Sequence, residues 1–187
     1  QEMQEIMPWA VSRVALSGFP GSSGLIAFGA GWRLVEVDDV DYRPFLLALE
    51  LRTPIGSTPL FLNGEVYSGR GVGPEFAHNG LDYNPSHPAG AREIGAKGGF
   101  ANLDLRASSA VHVHVGYGCD DPFDGDLDQA QGAPYLKNTV YYATIKVNVN
   151  ANFGWGAEVL HYQTVSTASS ELRSEERRVG KECRSRW

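Results

Sequence analysis

Alternation of apolar and polar residues with a period of two recurs along the sequence and constrains the fold more than any other feature. In "AVHVHVGYG" (110–118), valines alternate with His112 and His114. Successive side chains of a β-strand point to opposite faces, so this pattern predicts a strand with one apolar and one polar face. No segment has a convincing helical period, and Gly, Pro, Asn, Asp and Ser separate the alternating segments. The sequence therefore predicts an all-β, antiparallel fold.

Eight such segments are predicted as strands, longer than the usual strand of about 5–6 residues. They are "WAVSRVAL" (9–16), "LIAFGAGWRLV" (25–35), "FLLALELR" (45–52), "LFLNGEVY" (60–67), "GGFANLDLRA" (98–107), "AVHVHVGYG" (110–118), "VYYATIKVNV" (140–149) and "FGWGAEVLHY" (153–162). The connections alternate between short turns, such as "TPIGSTP", and long polar loops, "GVGPEFAHNGLDYNPSHPAG" (71–90) and "CDDPFDGDLDQAQGAPY" (119–135). Short turns at one end and long loops at the other are typical of an up-and-down barrel of the bacterial outer membrane.

The polar faces of these segments mix glycines with charges of both signs, which favours a water-filled lumen over a solvated outer face. We predict that the following side chains line a pore: Arg13, Arg33, Glu50, Arg52, Glu65, Asp104, His112, His114, Lys146 and Glu158. Charged rows across a lumen select solutes by charge and size. The alternative for these residues is mutual neutralisation inside a plugged barrel. Which of them lie opposite one another depends on strand register, which the sequence does not give.

Aromatic residues cluster near the ends of the segments, as in the aromatic girdles of outer-membrane barrels. They are Trp9, Trp32, Tyr67, Tyr117, Tyr141, Phe153 and Trp155. Hydrocarbon offers no hydrogen bonds to the backbone, so a β protein that spans a membrane has to close into a barrel. The predicted fold is thus an antiparallel up-and-down transmembrane β-barrel, with about eight strands in this chain as part of a larger barrel.

A soluble β-sandwich also alternates, but with its apolar face inward. This alternative is a secreted carbohydrate-binding module that uses exposed aromatics and a Ca²⁺ loop. The two folds differ in where they place one set of apolar side chains, which a barrel exposes to lipid and a sandwich buries. That set is Ile26, Phe28, Leu47, Leu49, Val113, Val115, Ile145 and Val147.

The last residues differ in composition from the rest of the chain. The segment "RSEERRVGKECRSRW" (173–187) resembles the in-frame translation of a sequencing-library adapter. We therefore divide the chain into a partial barrel over residues 1–172 and a non-native, disordered tail over 173–187. A basic disordered tail is the alternative. The start, "QEMQEIMPWA", has neither the basic nor the apolar part of a signal peptide, and we expect the chain to be a fragment.

Charge and cysteine content exclude two classes of protein. Residues 1–172 carry 10 basic and 19 acidic side chains, a net charge of −9. Nucleic-acid binding needs a basic face, so we expect no nucleic-acid partner. Cys119 is the single cysteine before the tail, so a disulfide framework within these residues is excluded.

Several motifs between about Pro8 and Thr167 resemble the C-terminal part of porin-like outer-membrane β-barrel proteins of bacteria with a double membrane. The motifs are "NGEVYSGRGVG" (63–73), "REIGAKGGFANL" (92–103), "VHVGYGCDDP" (113–122), "LKNTVYYATIKVNVN" (136–150) and "FGWGAEVLHYQT" (153–164). Their order and spacing match that family's pattern. The resemblance implies a passive pore for small solutes in the outer membrane, without a cofactor. The chain departs from the pattern at its end, where the tail replaces a closing strand with a final aromatic.

Two groups of residues have the spacing of metal ligands. His112 and His114 face the same side of a strand, but a metal site needs a third and fourth ligand, and Gly116, Tyr117, Gly118 and Cys119 follow them. Asp124, Asp126 and Asp128 have a spacing that suits Ca²⁺. An EF-hand loop that began at Asp124 would need Gly and Glu where the chain has Gln129 and Tyr135. We expect no bound metal. The histidines are interpreted instead as part of a polar lumen wall, which could be pH-sensitive, and the aspartates as part of an acidic loop.

No catalytic motif stands out, because the chain has no Gly-x-Ser-x-Gly and no phosphate-binding loop. We therefore predict a porin-like channel for passive diffusion of small solutes and not an enzyme. Its expected partners are outer-membrane lipid and small solutes. A homo-oligomer, in which the partner is a further copy of the chain, is an additional hypothesis. A barrel enzyme with a Ser, a His and an acid in the lumen is a third hypothesis.

Overall fold

The computed structural model describes residues 3–18, 23–37, 40–73, 82–127, 135–150, 152–166 and 169–182. The long strands are β1 (Met3–Ser17), β2 (Leu25–Val37), β4 (Phe45–Pro54), β5 (Leu60–Arg70), β8 (Gly95–Arg106), β9 (Val111–Pro122), β10 (Tyr135–Asn148), β11 (Gly154–Ser166) and β12 (Ser169–Glu182). The short strands are β3 (Val40–Tyr42), β6 (Tyr83–Asn84) and β7 (Arg92–Glu93), and a 3₁₀ turn spans Asp124–Asp126. Within the described ranges, no helix is long and apolar enough to cross a membrane.

One antiparallel sheet contains all the long strands, in the order β1-β2-β4-β5-β8-β9-β10-β11-β12. Each long strand pairs with the long strand before it along the chain, and β3 adds a short pairing to β2. β6 and β7 form a separate hairpin between β5 and β8. The eight predicted strands and the all-β, up-and-down topology are thereby confirmed. Within the residues that the structure describes, β1 and β12 are the two edges of this sheet, which is not closed on itself.

The ninth long strand, β12, lies where disorder was expected. Residues 169–182 pair antiparallel with β11, for example Val179 opposite Val159. The physical reason is that β11 has an open edge of unpaired backbone N–H and C=O groups, which accept a further strand whatever its side chains. Residues 183–187 lie outside the described residues. The division at residue 172 and the non-native origin of the tail stay predictions.

The two faces of the sheet differ in their side chains. Among the apolar residues that distinguish a barrel from a sandwich, Phe28, Leu47, Leu49, Val115 and Ile145 are exposed. Ile26, Val113 and Val147 are partly exposed, and no second sheet covers this face within the described residues. A sandwich would bury these side chains, so the sandwich alternative is wrong for this chain.

A small core lies at the end of the sheet that carries the long loops. Val35, Val37, Tyr42 and Tyr83 form a buried cluster, in which the rings of Tyr42 and Tyr83 are 4.2 Å apart. Tyr83 belongs to the β6–β7 hairpin, so this cluster holds the hairpin against β2 and β3. We call residues 82–94 the loop hairpin.

The predicted aromatic girdle is confirmed only in part. Trp32, Tyr117, Tyr141, Phe153 and Trp155 are exposed. Tyr67 and Trp9 lie instead on the opposite face: the Tyr67 hydroxyl donates to Asp120 at 2.6 Å, and the Trp9 ring contacts the Arg33 guanidinium at 5.0 Å. Tyrosine and tryptophan can contact polar partners on either face of a sheet. A position near a strand end therefore does not determine to which face Tyr67 and Trp9 point.

Candidate pore-lining surface

The polar face of the sheet, which we call the inner face, carries acidic groups near its centre. The Glu50 carboxylate accepts hydrogen bonds from the Arg13 guanidinium, at 2.6 Å from Nη2 and 3.2 Å from Nε. Glu65 lies directly opposite Glu50 on the next strand. Ala27, Gly29 and Ala48 lie beside these groups and leave a small cavity in front of them. This patch therefore contains two neighbouring carboxylates and one arginine, which is paired with Glu50, and its net charge is negative.

A basic patch follows toward the short-turn end of the same face. The guanidinium carbons of Arg52 and Arg106 lie 5.0 and 4.3 Å from the centre of the Phe61 ring. Cation–π contact of this kind attracts a guanidinium to an aromatic face. Phe61 is buried on β5 and thereby holds two positive charges on the strands that flank it, Arg52 on β4 and Arg106 on β8. The predicted lining residue Arg52 thus shares the Phe61 ring with Arg106, which was not among the predicted lining residues.

Asp104, His112 and His114 form a third group on this face. Asp104 lies directly opposite His114 in the pairing of β8 with β9, and His112 is two residues away on the same side. The Nδ1 atom of each histidine is 3.6 Å from Asp104 Oδ1. Asp104 Oδ2 accepts a hydrogen bond from Arg106 Nε at 3.4 Å, which links this trio to the basic patch.

The polar row continues across β10 and β11. Thr144 pairs with His114 on one side and with Glu158 on the other, and its hydroxyl donates to Glu158 at 2.9 Å. Lys146 lies opposite His112. Further toward the centre, Asn102 donates to the Tyr142 hydroxyl at 3.1 Å and accepts from Asn63 at 2.9 Å. The predicted residues from β4 to β11 therefore share one face.

Arg33 differs from the other predicted lining residues. Its guanidinium is buried and forms an ion pair with Asp82 of the loop hairpin, with 3.0 Å between Nη2 and Oδ2. Asp82 also accepts from the Gly73 backbone N–H at 2.8 Å. Arg33 lies on the inner face, but the loop hairpin covers it, so it is not part of an open wall. A buried arginine needs a carboxylate partner, and that partner lies in a loop that the strand pattern did not describe.

Asp126 holds the other side of the loop hairpin. Its two carboxylate oxygens contact Arg92 at 3.1 Å and Arg70 at 3.9 Å, and Oδ2 accepts from the Gly95 N–H at 2.9 Å. The Asn84 side chain donates to the Asp126 carbonyl at 2.9 Å. Both carboxylate oxygens of Asp126 thus contact groups of the fold itself, and they are not exposed as ligands for a Ca²⁺ ion. Asp124 begins the 3₁₀ turn, and Asp128 lies outside the described residues.

Sequence reasoning missed Arg106, Phe61 and Asp82 for different reasons. Arg106 belongs to the polar face of the segment "GGFANLDLRA", so its parity was a usable signal. Phe61 breaks the alternation, because an aromatic on the inner face serves as a platform for arginines. Asp82 lies in a loop without periodicity, and no local pattern indicates its partner.

Comparisons with known proteins bear on the fold. No protein-family model and no curated protein matches this sequence. One similar solved structure is the outer membrane channel DcaP of Acinetobacter baumannii, with a TM-score of 0.80 and 11% sequence identity. The match covers 96% of this chain and 51% of that one, so this chain spans about half of that channel. The chain therefore shares the antiparallel, up-and-down β fold of that β-barrel structure, as the alternating pattern predicted, in a sheet that is open between β1 and β12 within the described residues.

Proposed function

We propose that this protein is an outer-membrane channel through which small solutes diffuse passively. The observation that carries the proposal is the contrast between the two faces of one sheet. Apolar side chains such as Leu49 and Val115 are exposed on the outer face, while Arg13, Glu50 and Arg106 lie on the inner face. In a barrel this arrangement directs the apolar face to lipid and the charged face to water.

Solute selection would depend on the acidic and basic patches of the inner face. Glu50 and Glu65 lie opposite each other on the adjacent strands β4 and β5. Arg52 on β4 and Arg106 on β8 both contact Phe61 on β5, the strand between them. Opposite charges at different positions on a wall create a transverse field, through which small polar solutes pass more readily than apolar ones. The loop hairpin, which the Arg33–Asp82 pair ties to the inner face, would narrow the mouth at the long-loop end.

The remaining parts of the proposal follow from the same arrangement. We place the protein in the outer membrane of a double-membrane bacterium, with lipid and small solutes as its partners and no catalytic role. The similarity to a channel supports this at the level of the fold. Association with further copies of itself stays a prediction, as does the participation of each named side chain in the lining.

Planar-bilayer recording tests the proposal. The protein is refolded in detergent, its folding is checked by the shift in gel mobility on heating, and it is reconstituted at low density. We expect discrete conductance steps that are linear in voltage, because a water-filled lumen conducts in both directions. A folded barrel that gives no steps would contradict the channel and favour a plugged or enzymatic barrel. A product that remains folded without detergent would contradict the membrane location.

A further inference from the structure

The trio of Asp104, His112 and His114 has features that a polar wall does not require. The two histidines lie on β9 and the aspartate on β8, and the strand register brings them to one point of the inner face. One possible donor atom from each residue lies within 4.8 Å of the other two. No metal was expected from the sequence, because no third ligand follows the histidines along the chain. In the structure, a third candidate ligand, Asp104, comes from the preceding strand.

Asp104 is the most informative member of the trio. Its side chain is only 8% exposed, and among the described residues Oδ1 has no hydrogen-bond partner. A buried carboxylate oxygen without a donor costs free energy, so native proteins rarely leave one in that state. Arg106 reaches Oδ2 and leaves Oδ1 directed toward the two histidines. Oδ1 is therefore positioned for a ligand that binds between these residues.

The two distances from the histidines to Asp104 are close to those between neighbouring ligands of a metal ion. Each histidine Nδ1 is 3.6 Å from Asp104 Oδ1, which is longer than a normal hydrogen bond. In a tetrahedral site with bonds of about 2.1 Å, neighbouring ligand atoms are roughly 3.4 Å apart. Both imidazoles are partly exposed, at 27% and 21%, so they can rotate slightly toward an ion.

We propose that Asp104, His112 and His114 bind a divalent transition-metal ion, of which Zn²⁺ is the best fit, on the inner wall of the barrel. Two imidazole nitrogens and one carboxylate oxygen suit Zn²⁺, Ni²⁺ or Cu²⁺ better than Mg²⁺ or Ca²⁺, which prefer oxygen ligands. Three protein ligands leave a fourth position, which faces the lumen and is open to water or a passing anionic solute.

Neighbouring positive charges limit how tightly the ion binds. Arg106 contacts Asp104 Oδ2, and Lys146 lies opposite His112 on β10. Both repel a cation by Coulomb's law, although water in a lumen weakens this repulsion. The site therefore suits an ion that is exchanged with the surroundings. A bound ion adds positive charge next to Arg52 and Arg106 and would change which solutes pass, and this last effect rests on the proposed channel function.

Calorimetric titration of the detergent-refolded protein with ZnCl₂ tests the binding. We expect one saturable Zn²⁺ per chain in the wild type and loss of that site in His114→Ala and in Asp104→Asn. Asp104→Asn keeps the shape of the side chain, and the heat-dependent gel shift shows whether each variant has folded. Lys146→Gln should bind Zn²⁺ more tightly, because it removes a repulsive charge without removing a ligand.

The matched control is His161→Ala, since His161 lies on the outer face beside Tyr141, with 6.3 Å between ring centres, and is not part of the trio. This control should retain the site. Wild type without saturable binding, or equal loss of binding in His161→Ala and His114→Ala, would overturn the proposal. Bilayer recording with added Zn²⁺ then separates the two ideas. If no variant conducts, the channel function fails while the calorimetric result stands.

Discussion

At the scale of single residues, the side to which a side chain points is set by its parity in the strand. Ala143 and Thr144 are adjacent on β10 and face opposite sides. Ala143 is exposed between Val115 and Val159, whereas Thr144 lies between His114 and Glu158. The sequence predicted this difference correctly, because alternation over a long strand leaves only one side for each residue.

The adjacent pair gives a direct test of which face meets lipid. Under the proposed function, Ala143→Lys should destabilise the folded protein by about 2–4 kcal/mol, because it places a charge near the middle of the surface that the proposal directs to lipid. Thr144→Lys should change the free energy of unfolding by no more than about 1 kcal/mol, because the new ammonium group can pair with Glu158. Denaturant titration in lipid vesicles, followed by tryptophan fluorescence, measures both.

Equal destabilisation by the two variants would contradict the assignment of the faces. A larger loss for Thr144→Lys would reverse it. The two substitutions introduce the same side chain into the same strand, so differences in β propensity contribute little to the comparison.

Contacts between side chains on different strands could not be predicted from the sequence, because they depend on strand register. The pairing that places Asp104 opposite His114, and Arg52 and Arg106 on one ring, joins residues far apart in the chain. A shift of one residue between strands would have placed each side chain on the other face. Periodicity identifies the face of a residue but not its neighbour across the sheet.

At the scale of elements, the strands were predictable and the loop hairpin was not. Every predicted strand is present because each contains several cycles of alternation, and glycines and polar residues separate them. The segment that contains the loop hairpin was expected to be a long polar connection. The structure instead packs part of it on the inner face through two buried carboxylates, Asp82 and Asp126. Such contacts depend on partners in other elements and leave no local pattern.

The Arg33–Asp82 pair should hold the loop hairpin in place. Asp82→Asn removes the negative charge that faces the buried Arg33, and loss of one partner of a buried pair costs about 3–5 kcal/mol. This cost falls mainly on the attachment of the loop hairpin, because the backbone pairing of the long strands does not include residues 82–94. We expect faster proteolysis within residues 82–94 and a higher single-channel conductance, with an unchanged heat-dependent gel shift.

Asp121→Asn is the matched control, since the Asp121 carboxylate is 34% exposed and lies 3.8 Å from Lys97. An exposed pair of this kind contributes little, so proteolysis and conductance should stay at wild-type values. If Asp82→Asn behaved like this control, the ion pair would not be what holds the loop hairpin.

At the scale of the whole molecule, the arrangement of charge matters more than its total. Residues 1–172 are acidic overall, with a net charge of −9, yet the inner face contains a separate basic patch. The net charge was enough to argue against nucleic acid. It says little about the solute of the proposed channel, because a solute in such a lumen would respond to the nearest charged groups. The described part of the sheet therefore predicts a wall with two regions of opposite charge, each of which can be changed on its own.

Neutralising the basic patch and neutralising the acidic patch should shift the ion selectivity in opposite directions. The double variant Arg52→Gln/Arg106→Gln should favour cations and Glu50→Gln/Glu65→Gln should favour anions, each by about two- to fivefold in permeability ratio. The magnitude follows from about 1 kcal/mol between unit charges at 4 Å in water and less at greater distance. Reversal potentials in a salt gradient across a planar bilayer measure this ratio.

Lys97→Gln provides the control for the loss of a positive charge. The Lys97 side chain is 61% exposed and already lies near Asp121, so its removal should leave the reversal potential unchanged. If all three variants kept the wild-type selectivity, neither patch would line the conducting path, and solutes would pass along a part of the wall that these strands do not form. If only the arginine variant changed it, the patch of Glu50 and Glu65 would lie away from the conducting path.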